Sequence, residues 1–165
     1  MIESVFRSTI LFCFFLCTNS LACTFAPGYE LFRYSETKLI GTGETPGAPT
    51  VSVKSIERGF DDGDFASCSD AGVLTLVVAN HETRNDTGYL FRLESGSLGS
   101  TAFLEEILAP IEIEEGQFGF RIVWLDWVKG QRGLAPVSAK LGVRAVSNTG
   151  VESEEIIVQI EHPGK

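Results

Sequence analysis

The stretch Phe118-Gly-Phe-Arg-Ile-Val-Trp124 decides the fold class of this chain. Its large apolar side chains, Phe118, Phe120, Ile122 and Trp124, recur at every second position. That period belongs to a β-strand with one buried face, because successive side chains of a strand point to opposite sides. We therefore expect this row to lie in the core and the residues between to face away from it.

Shorter runs elsewhere repeat the same alternation. They include Val51 and Val53, then Leu74, Leu76 and Val78, then Tyr89, Phe91 and Leu93. Turn residues separate these runs, and sustained helical periodicity is nearly absent. One segment, 100–110, also suits a helical turn or two, and Pro110 would end it. The sequence as a whole predicts an all-β domain.

The end of the chain carries a family resemblance. Leu141-Gly-Val-Arg-Ala-Val-Ser-Asn-Thr-Gly-Val-Glu-Ser153 is an alternating strand with a turn, and Ile156, Val158 and Ile160 continue as a closing strand. Over residues 139–161 this resembles the final hairpin of a fibronectin type III domain. The resemblance implies a single fibronectin type III or immunoglobulin-like β-sandwich with an N-terminal arm.

Two features depart from that family's pattern. The run 72–79 lacks the tryptophan usual in the second strand, and the stretch 95–138 is longer than expected. An extra hairpin or a variant immunoglobulin-like topology accounts for both. Domains of this family serve mainly as spacers and binding modules, so the resemblance implies an interaction or adhesion-type role and no particular activity.

The start of the chain predicts export. Arg7 precedes a short apolar run at 10–16, and the small residues Ser20 and Ala22 stand before a cleavage site after residue 22. This is the pattern of a signal peptide over residues 1–22, too short to span a bilayer. We expect a periplasmic, cell-surface or secreted protein.

Cysteine usage agrees with that destination. Cleavage removes Cys13 and Cys17 and leaves Cys23 and Cys68, which we expect to form a disulfide in an oxidising compartment. The alternative is lipidation of Cys23, because Leu-Ala-Cys resembles the end of a bacterial lipoprotein signal, although Ser20 stands where leucine is usual. The protein would then be a lipoprotein scaffolding an envelope assembly.

The rest of the chain divides into three parts. Residues 23–48 form an arm and a Gly/Pro-rich linker, residues 49–162 the β-sandwich, and residues 163–165 a tail. No second long apolar segment follows the signal, so we expect no transmembrane span after its removal. Membrane attachment would require lipidated Cys23.

Charge narrows the choice of partners. The chain has 13 Lys and Arg against 22 Asp and Glu, a net charge of -9. Nucleic acid is excluded as a partner, because phosphate binding requires clustered cations that this sequence lacks. The expected partner is a protein or an envelope component.

Catalytic patterns are missing as well. The two histidines, His81 and His162, lie in a polar run and near the C-terminus, and no nucleophile motif, phosphate-binding glycine pattern or zinc-ligand spacing is present. We therefore expect a non-catalytic protein without a cofactor. The alternative is a small secreted enzyme that uses acidic residues.

Two clusters remain as candidate binding sites. Asp61, Asp62, Asp64 and Asp70 form a weak calcium candidate, because calcium prefers several oxygen ligands on a Gly-containing loop. An acidic turn is the preferred explanation, because the spacing is not that of an EF-hand and its distal glutamate is missing. The second candidate comprises Trp127, Lys129 and Arg132, an aromatic and two cations just beyond a strand, which is typical of a recognition surface. The preferred alternative is that Trp127 packs under its own Gly-rich loop.

Overall fold

The structure is a computed structural model that describes residues 28–34, 43–64, 67–79, 81, 86–98, 106–126 and 133–164. Apart from a single 3-10 turn, Cys68–Asp70, the regular structure in these ranges is β-strand. The strands are β1 (Glu30–Leu31), β2 (Val51–Glu57), β3 (Ala71–Val78), β4 (Thr87–Ser97), β5 (Leu108–Ala109), β6 (Ile111–Glu114), β7 (Gln117–Leu125), β8 (Val137–Ser147) and β9 (Ile156–His162). No helix in the described ranges is long and apolar enough to cross a membrane.

The strands form two antiparallel sheets. One has four strands in the order β2-β3-β7-β6, and the other has five in the order β1-β5-β4-β8-β9. Their facing side chains make one apolar core. The prediction of an all-β sandwich is confirmed.

Aromatic rings join the two layers at the centre of this core. Phe120 of β7 is fully buried and lies edge-on against two rings of β4, with ring centroids 5.6 Å from Tyr89 and 4.8 Å from Phe91. Such edge-to-face pairs add specific geometry to the burial of apolar area. The sandwich is therefore fixed at its centre by side chains that the alternating pattern places in the core.

Most predicted rows are confirmed, and one fails in part. Ile122 and Trp124 are buried beside Phe120, whereas Leu93 is 39% exposed. The pairing of β4 with β8 shifts register between Leu93 and Ser95. The pairing is regular from Phe91 to Leu93, so Leu93 stays on the face of Phe91, and the bulge changes the face only of the residues that follow it.

The closing hairpin is formed by β8 and β9, as predicted. Val158 and Ile160 are buried, and the hydroxyl of Ser147 accepts a hydrogen bond of 3.0 Å from the backbone N–H of Val151 in the turn. Gly150 in this turn has a φ of 80°, which favours glycine.

The long stretch before this hairpin holds additional strands. β6 and β7 form a hairpin around Gly116, and β5 lies just before it in the other sheet. The alternative of a helix over 100–110 is wrong at its C-terminal end, where Leu108–Ala109 is β5.

Part of the predicted arm belongs to the sandwich. β1 pairs with β5 at the edge of the five-stranded sheet, and the N–H of Arg121 in β7 donates to the carbonyl of Gly28 at 2.8 Å. The arm therefore contacts both sheets. Residues 43–49 have no regular structure and lead into β2.

Candidate functional site

One end of the sandwich collects the ends of three strands. Leu125 at the end of β7 pairs with Ala71, and His162 at the end of β9 pairs with Val137. Arg58 directly follows β2 at this same end. We call the group formed by Arg58, Asp126, the carbonyl of Ala135 and His162 the Arg58 clamp.

The Arg58 clamp is built around a buried ion pair. The guanidinium of Arg58 donates from Nε and Nη2 to the two carboxylate oxygens of Asp126, at 2.7 and 2.9 Å. The exposed fractions of the two side chains are only 3% and 5%. Bidentate pairing of this kind fixes orientation as well as distance.

Arg58 also contacts the far side of the β7–β8 connection. Its Nη2 donates to the carbonyl of Ala135 at 3.0 Å, while Asp126 stands at the beginning of the connection. One side chain therefore holds both ends of segment 127–134. The two residues that flank this segment, Asp126 and Ala135, are therefore held in place by the same side chain.

Asp126 has further partners that keep it ionised. Its carboxylate accepts the backbone N–H of Gly59 at 2.8 Å, and its own N–H donates to the carbonyl of Asp70 at 2.9 Å. Burial acts to raise the pKa of Asp126, but hydrogen bonds from Arg58, Gly59 and the Trp124 side chain, with the charge of Arg58, lower it overall. The site is thus a satisfied structural ion pair.

His162 completes the Arg58 clamp. Its Nδ1 lies 3.3 Å from Nη1 of Arg58 and accepts the backbone N–H of Gly164 at 3.1 Å. Because Arg58 can only donate, this geometry assigns Nδ1 as an acceptor and the ring proton to Nε2. The residues after β9 are therefore attached to the same group.

The three residues of the predicted recognition surface, Trp127, Lys129 and Arg132, lie outside the described residues. That surface stays a prediction. The structure does establish that Asp126, the residue before Trp127, is anchored in the Arg58 clamp. Sequence reasoning missed Arg58 and Asp126, which are 68 positions apart, because nothing in a single sequence pairs two distant charges.

The predicted calcium residues take part in a local turn. Asp61, Asp62 and Asp64 are exposed, and Asp62 accepts hydrogen bonds from the hydroxyls of Ser67 and Ser69. The hydrogen bond from Ser69 is the main cause that lowers the pKa of Asp62.

Asp70 has a different role from Asp61, Asp62 and Asp64, because it stabilises the 3-10 turn. It is 3% exposed, and its carboxylate accepts the N–H of Ser67 at 3.1 Å, closing the capping box of the 3-10 turn. In the described ranges, no three His, Cys, Asp or Glu side chains are grouped so as to hold a metal ion.

Cys68 is the first residue of this 3-10 turn. Cys68 is disulfide-bonded. The other three cysteines of the chain, one of which is its partner, lie outside the described residues. The pairing with Cys23, and lipidation of Cys23, both stay predictions.

His81 lies at the opposite end of the sandwich, just beyond β3. Its Nδ1 is 3.1 Å from the hydroxyl of Tyr89, and its ring centroid is 5.1 Å from that of Phe118. Its Nε2 is buried without a hydrogen-bond partner. Burial lowers the pKa of His81, with Asp86 opposing the shift, and burial raises the pKa of Tyr89 to about 12.

The two histidines therefore lie at opposite ends of the sandwich. Comparison with known proteins adds no assignment, since no protein-family model, curated protein or solved structure matches the chain.

Proposed function

We propose that this chain is an exported, non-catalytic interaction module of the cell envelope or extracellular space, built on an immunoglobulin-like β-sandwich. The observation that carries the proposal is the Arg58 clamp, in which one buried guanidinium binds both ends of segment 127–134. Binding residues are commonly placed on loops that a rigid scaffold positions.

Strand order supports the immunoglobulin-like assignment. Lettered along the chain from β2 with β5 left out, the four-stranded sheet has the order A-B-E-D, which is the order of the first sheet of constant-type immunoglobulin domains. The second sheet has C-F-G as β4-β8-β9, with β5 added beside C. β1 is a further addition, supplied by the arm.

The contact surface that we propose is formed by Trp127, Lys129 and Arg132. Tryptophan and arginine are the residues most enriched among those that dominate binding energy at protein interfaces. The opposite end of the sandwich suits this role less well, because the arm connection approaches it. A side chain at Gly43 would lie 3.1 Å from the hydroxyl of Thr149 in the β8–β9 turn.

Affinity capture from envelope and secreted fractions of the natural host tests the proposal. The unsubstituted protein is compared with a variant carrying Trp127→Ala, Lys129→Ala and Arg132→Ala. The matched control carries Glu115→Ala and Glu154→Ala, two exposed residues at the opposite end. Circular dichroism and thermal unfolding establish that both variants are folded.

We expect a defined partner to be recovered with the unsubstituted protein and the control, and to be depleted at least tenfold with the triple variant. A partner retained equally by all three proteins would place the contact surface elsewhere. Loss of the partner with the control alone would assign the surface to the other end of the sandwich.

A further inference from the structure

The docking of the arm depends on two glycines, one on each side of the contact. A β-carbon at Gly28 would lie 2.2 Å from the β-carbon of Arg121 on β7. A β-carbon at Gly88 of β4 would lie 2.4 Å from Ile107 and 2.5 Å from the ring of Phe32. Neither position accepts even a methyl group while the arm is in place, so the arm and its docking site are complementary in shape.

Backbone hydrogen bonds provide the rest of this contact. Arg121 donates to the carbonyl of Gly28 at 2.8 Å, and Phe32 donates to the carbonyl of Ile107 at 2.9 Å. Between them, Glu30 and Leu31 pair with β5. This is the geometry by which an extended peptide adds a strand to a sheet edge, with backbone bonds giving affinity and side-chain slots giving specificity.

Two links join the arm to the rest of its own chain: the disulfide of Cys68, since the other three cysteines all precede the docked arm, and the long connection 35–50. Sixteen residues separate Tyr34 from Val51, and the described part of this connection, 43–50, has no regular structure and contains Gly43, Pro46, Gly47 and Pro49. Fully extended, sixteen residues reach about 50 Å. Before the Cys68 disulfide closes, or after it is reduced, a connection of that reach allows the arm to dock on its own sandwich or on another.

We propose that the groove between Gly88 of β4, β5 and Arg121 of β7 is a strand-binding site whose ligand in trans is the arm of a second copy of this chain. Every contact of the docked arm is reproduced when a second copy supplies it, so exchange replaces one set of bonds by an identical set. The tether favours the arm of the same copy in dilute solution, and a high local concentration favours exchange.

A complementation experiment on the full chain tests this site, with the variants mixed under reductant so that the Cys68 disulfide does not hold each arm to its own copy. Gly28→Ala damages the arm and leaves the groove intact, whereas Gly88→Ala damages the groove and leaves the arm intact. Only a mixture of the two holds an intact arm and an intact groove, and these lie on different copies. The matched control is Gly47→Ala, since a β-carbon at Gly47 would have nothing within 4 Å.

One variant is labelled with ¹⁵N, and sedimentation velocity and native mass spectrometry follow the mixture at about 0.1 to 1 mM, the range of effective concentrations for tethered segments. We expect each variant alone to be monomeric and the mixture to give a 1:1 heterodimer. Gly47→Ala mixed with the unsubstituted protein should give no heterodimer at the same concentration after brief mixing.

Absence of the heterodimer from a mixture of folded variants would overturn the proposal. So would self-association of Gly28→Ala alone, because its arm cannot dock. Phe32→Ser repeats the arm defect without altering the backbone, so it should also form a heterodimer with Gly88→Ala. If Gly88→Ala fails to fold, fluorescently labelled peptide 26–34 should bind the Gly28→Ala chain and not the unsubstituted one, and equal binding to both would refute the site.

Discussion

Arg58 and Asp126 are buried charges whose desolvation is offset by hydrogen bonds on both partners. Removing one member leaves the other buried and unpaired, which costs about 3 to 5 kcal/mol. We expect Arg58→Ala to lower the free energy of unfolding by that amount in urea denaturation. Lys54→Ala is the control, because Lys54 pairs with Glu114 at the surface, where such pairs contribute at most about 1 kcal/mol. Equal losses would contradict a clamp role for Arg58.

The ionisation of Asp126 should also make the free energy of unfolding depend on pH in the acid range. Burial acts to raise its pKa, yet the bonds and charge of its partners lower it below the ordinary value of 3.8. A carboxyl with a lowered folded-state pKa stabilises the fold fully above its unfolded pKa, and that contribution is lost as pH falls through the folded value. The stability difference between the unsubstituted protein and Asp126→Asn should therefore shrink below about pH 3.8. A stability difference between the two proteins that stays constant down to pH 2 would contradict a lowered pKa of Asp126 in the folded state.

His81 should produce a separate dependence in the mildly acid range. Burial lowers its pKa from 6.5, with Asp86 opposing, so the unfolded chain takes up a proton at a higher pH than the folded one. Stability should therefore fall as pH drops below 6.5 towards the folded value. His81→Phe should flatten this slope in melting temperatures measured from pH 7.5 to 5, and Asp86→Asn should steepen it. An unchanged slope in His81→Phe would rule out His81 as its source.

Strands β3 and β7 pack against each other through a glycine and a tryptophan. Gly72 of β3 pairs with Trp124 of β7, and the indole covers it so closely that a β-carbon at Gly72 would lie 2.4 Å from the ring. The indole of Trp124 thus fills the space that a side chain at Gly72 would occupy. The Trp124 side chain in turn bonds to Asp126.

This pairing predicts a non-additive double variant. Trp124→Ala should cost about 3 to 5 kcal/mol, since it empties a buried aromatic site. Gly72→Ala should cost about 1 to 3 kcal/mol, because its methyl group overlaps the ring. In urea denaturation the double variant should lose less than the sum, as the methyl group then occupies vacated space. Strict additivity would mean that the two residues do not contact each other in solution.

The strands that could be predicted from the sequence are those in which apolar residues recur at every second position, because that alternation indicates which face is buried. β7 and β9 alternate strictly, so the alternation alone assigns Phe120 and Ile160 to the core, and both are buried there. β1 and β5 have two residues each and no period to detect, so the sequence allows a short strand within 29–34 but does not predict its pairing with β5. The Arg58 clamp was missed for a related reason, because its partners meet only after the whole sandwich has formed.

The path of the whole chain makes the predicted Cys23–Cys68 bridge geometrically feasible. Gly28 lies beside Arg121, and β7 covers about 13 Å from Arg121 to Leu125, at about 3.3 Å per residue. Leu125 pairs with Ala71, which follows the 3-10 turn that begins at Cys68. The five steps from Cys23 to Gly28 reach about 17 Å when extended, against about 13 Å along β7 combined with two strand spacings of about 4.8 Å across it. The Cα atoms of a disulfide lie about 5.5 Å apart, which brings the remaining turn to Cys68 within reach.

Intact mass of the protein isolated from its host, before and after reduction, examines cleavage and cysteine chemistry together. We expect a chain beginning at Cys23 that gains two hydrogens on reduction. Reduction should also lower the melting temperature, because closing a loop of about 45 residues stabilises a fold by roughly 4 kcal/mol in the chain-entropy model. Cys68→Ser is the control, since it should melt at the same temperature with and without reductant. A mass excess matching a diacylglyceryl group would instead identify a tethered lipoprotein. In that protein Cys23 carries the lipid and cannot be the disulfide partner of Cys68. Arm exchange would then take place between copies concentrated on one membrane surface.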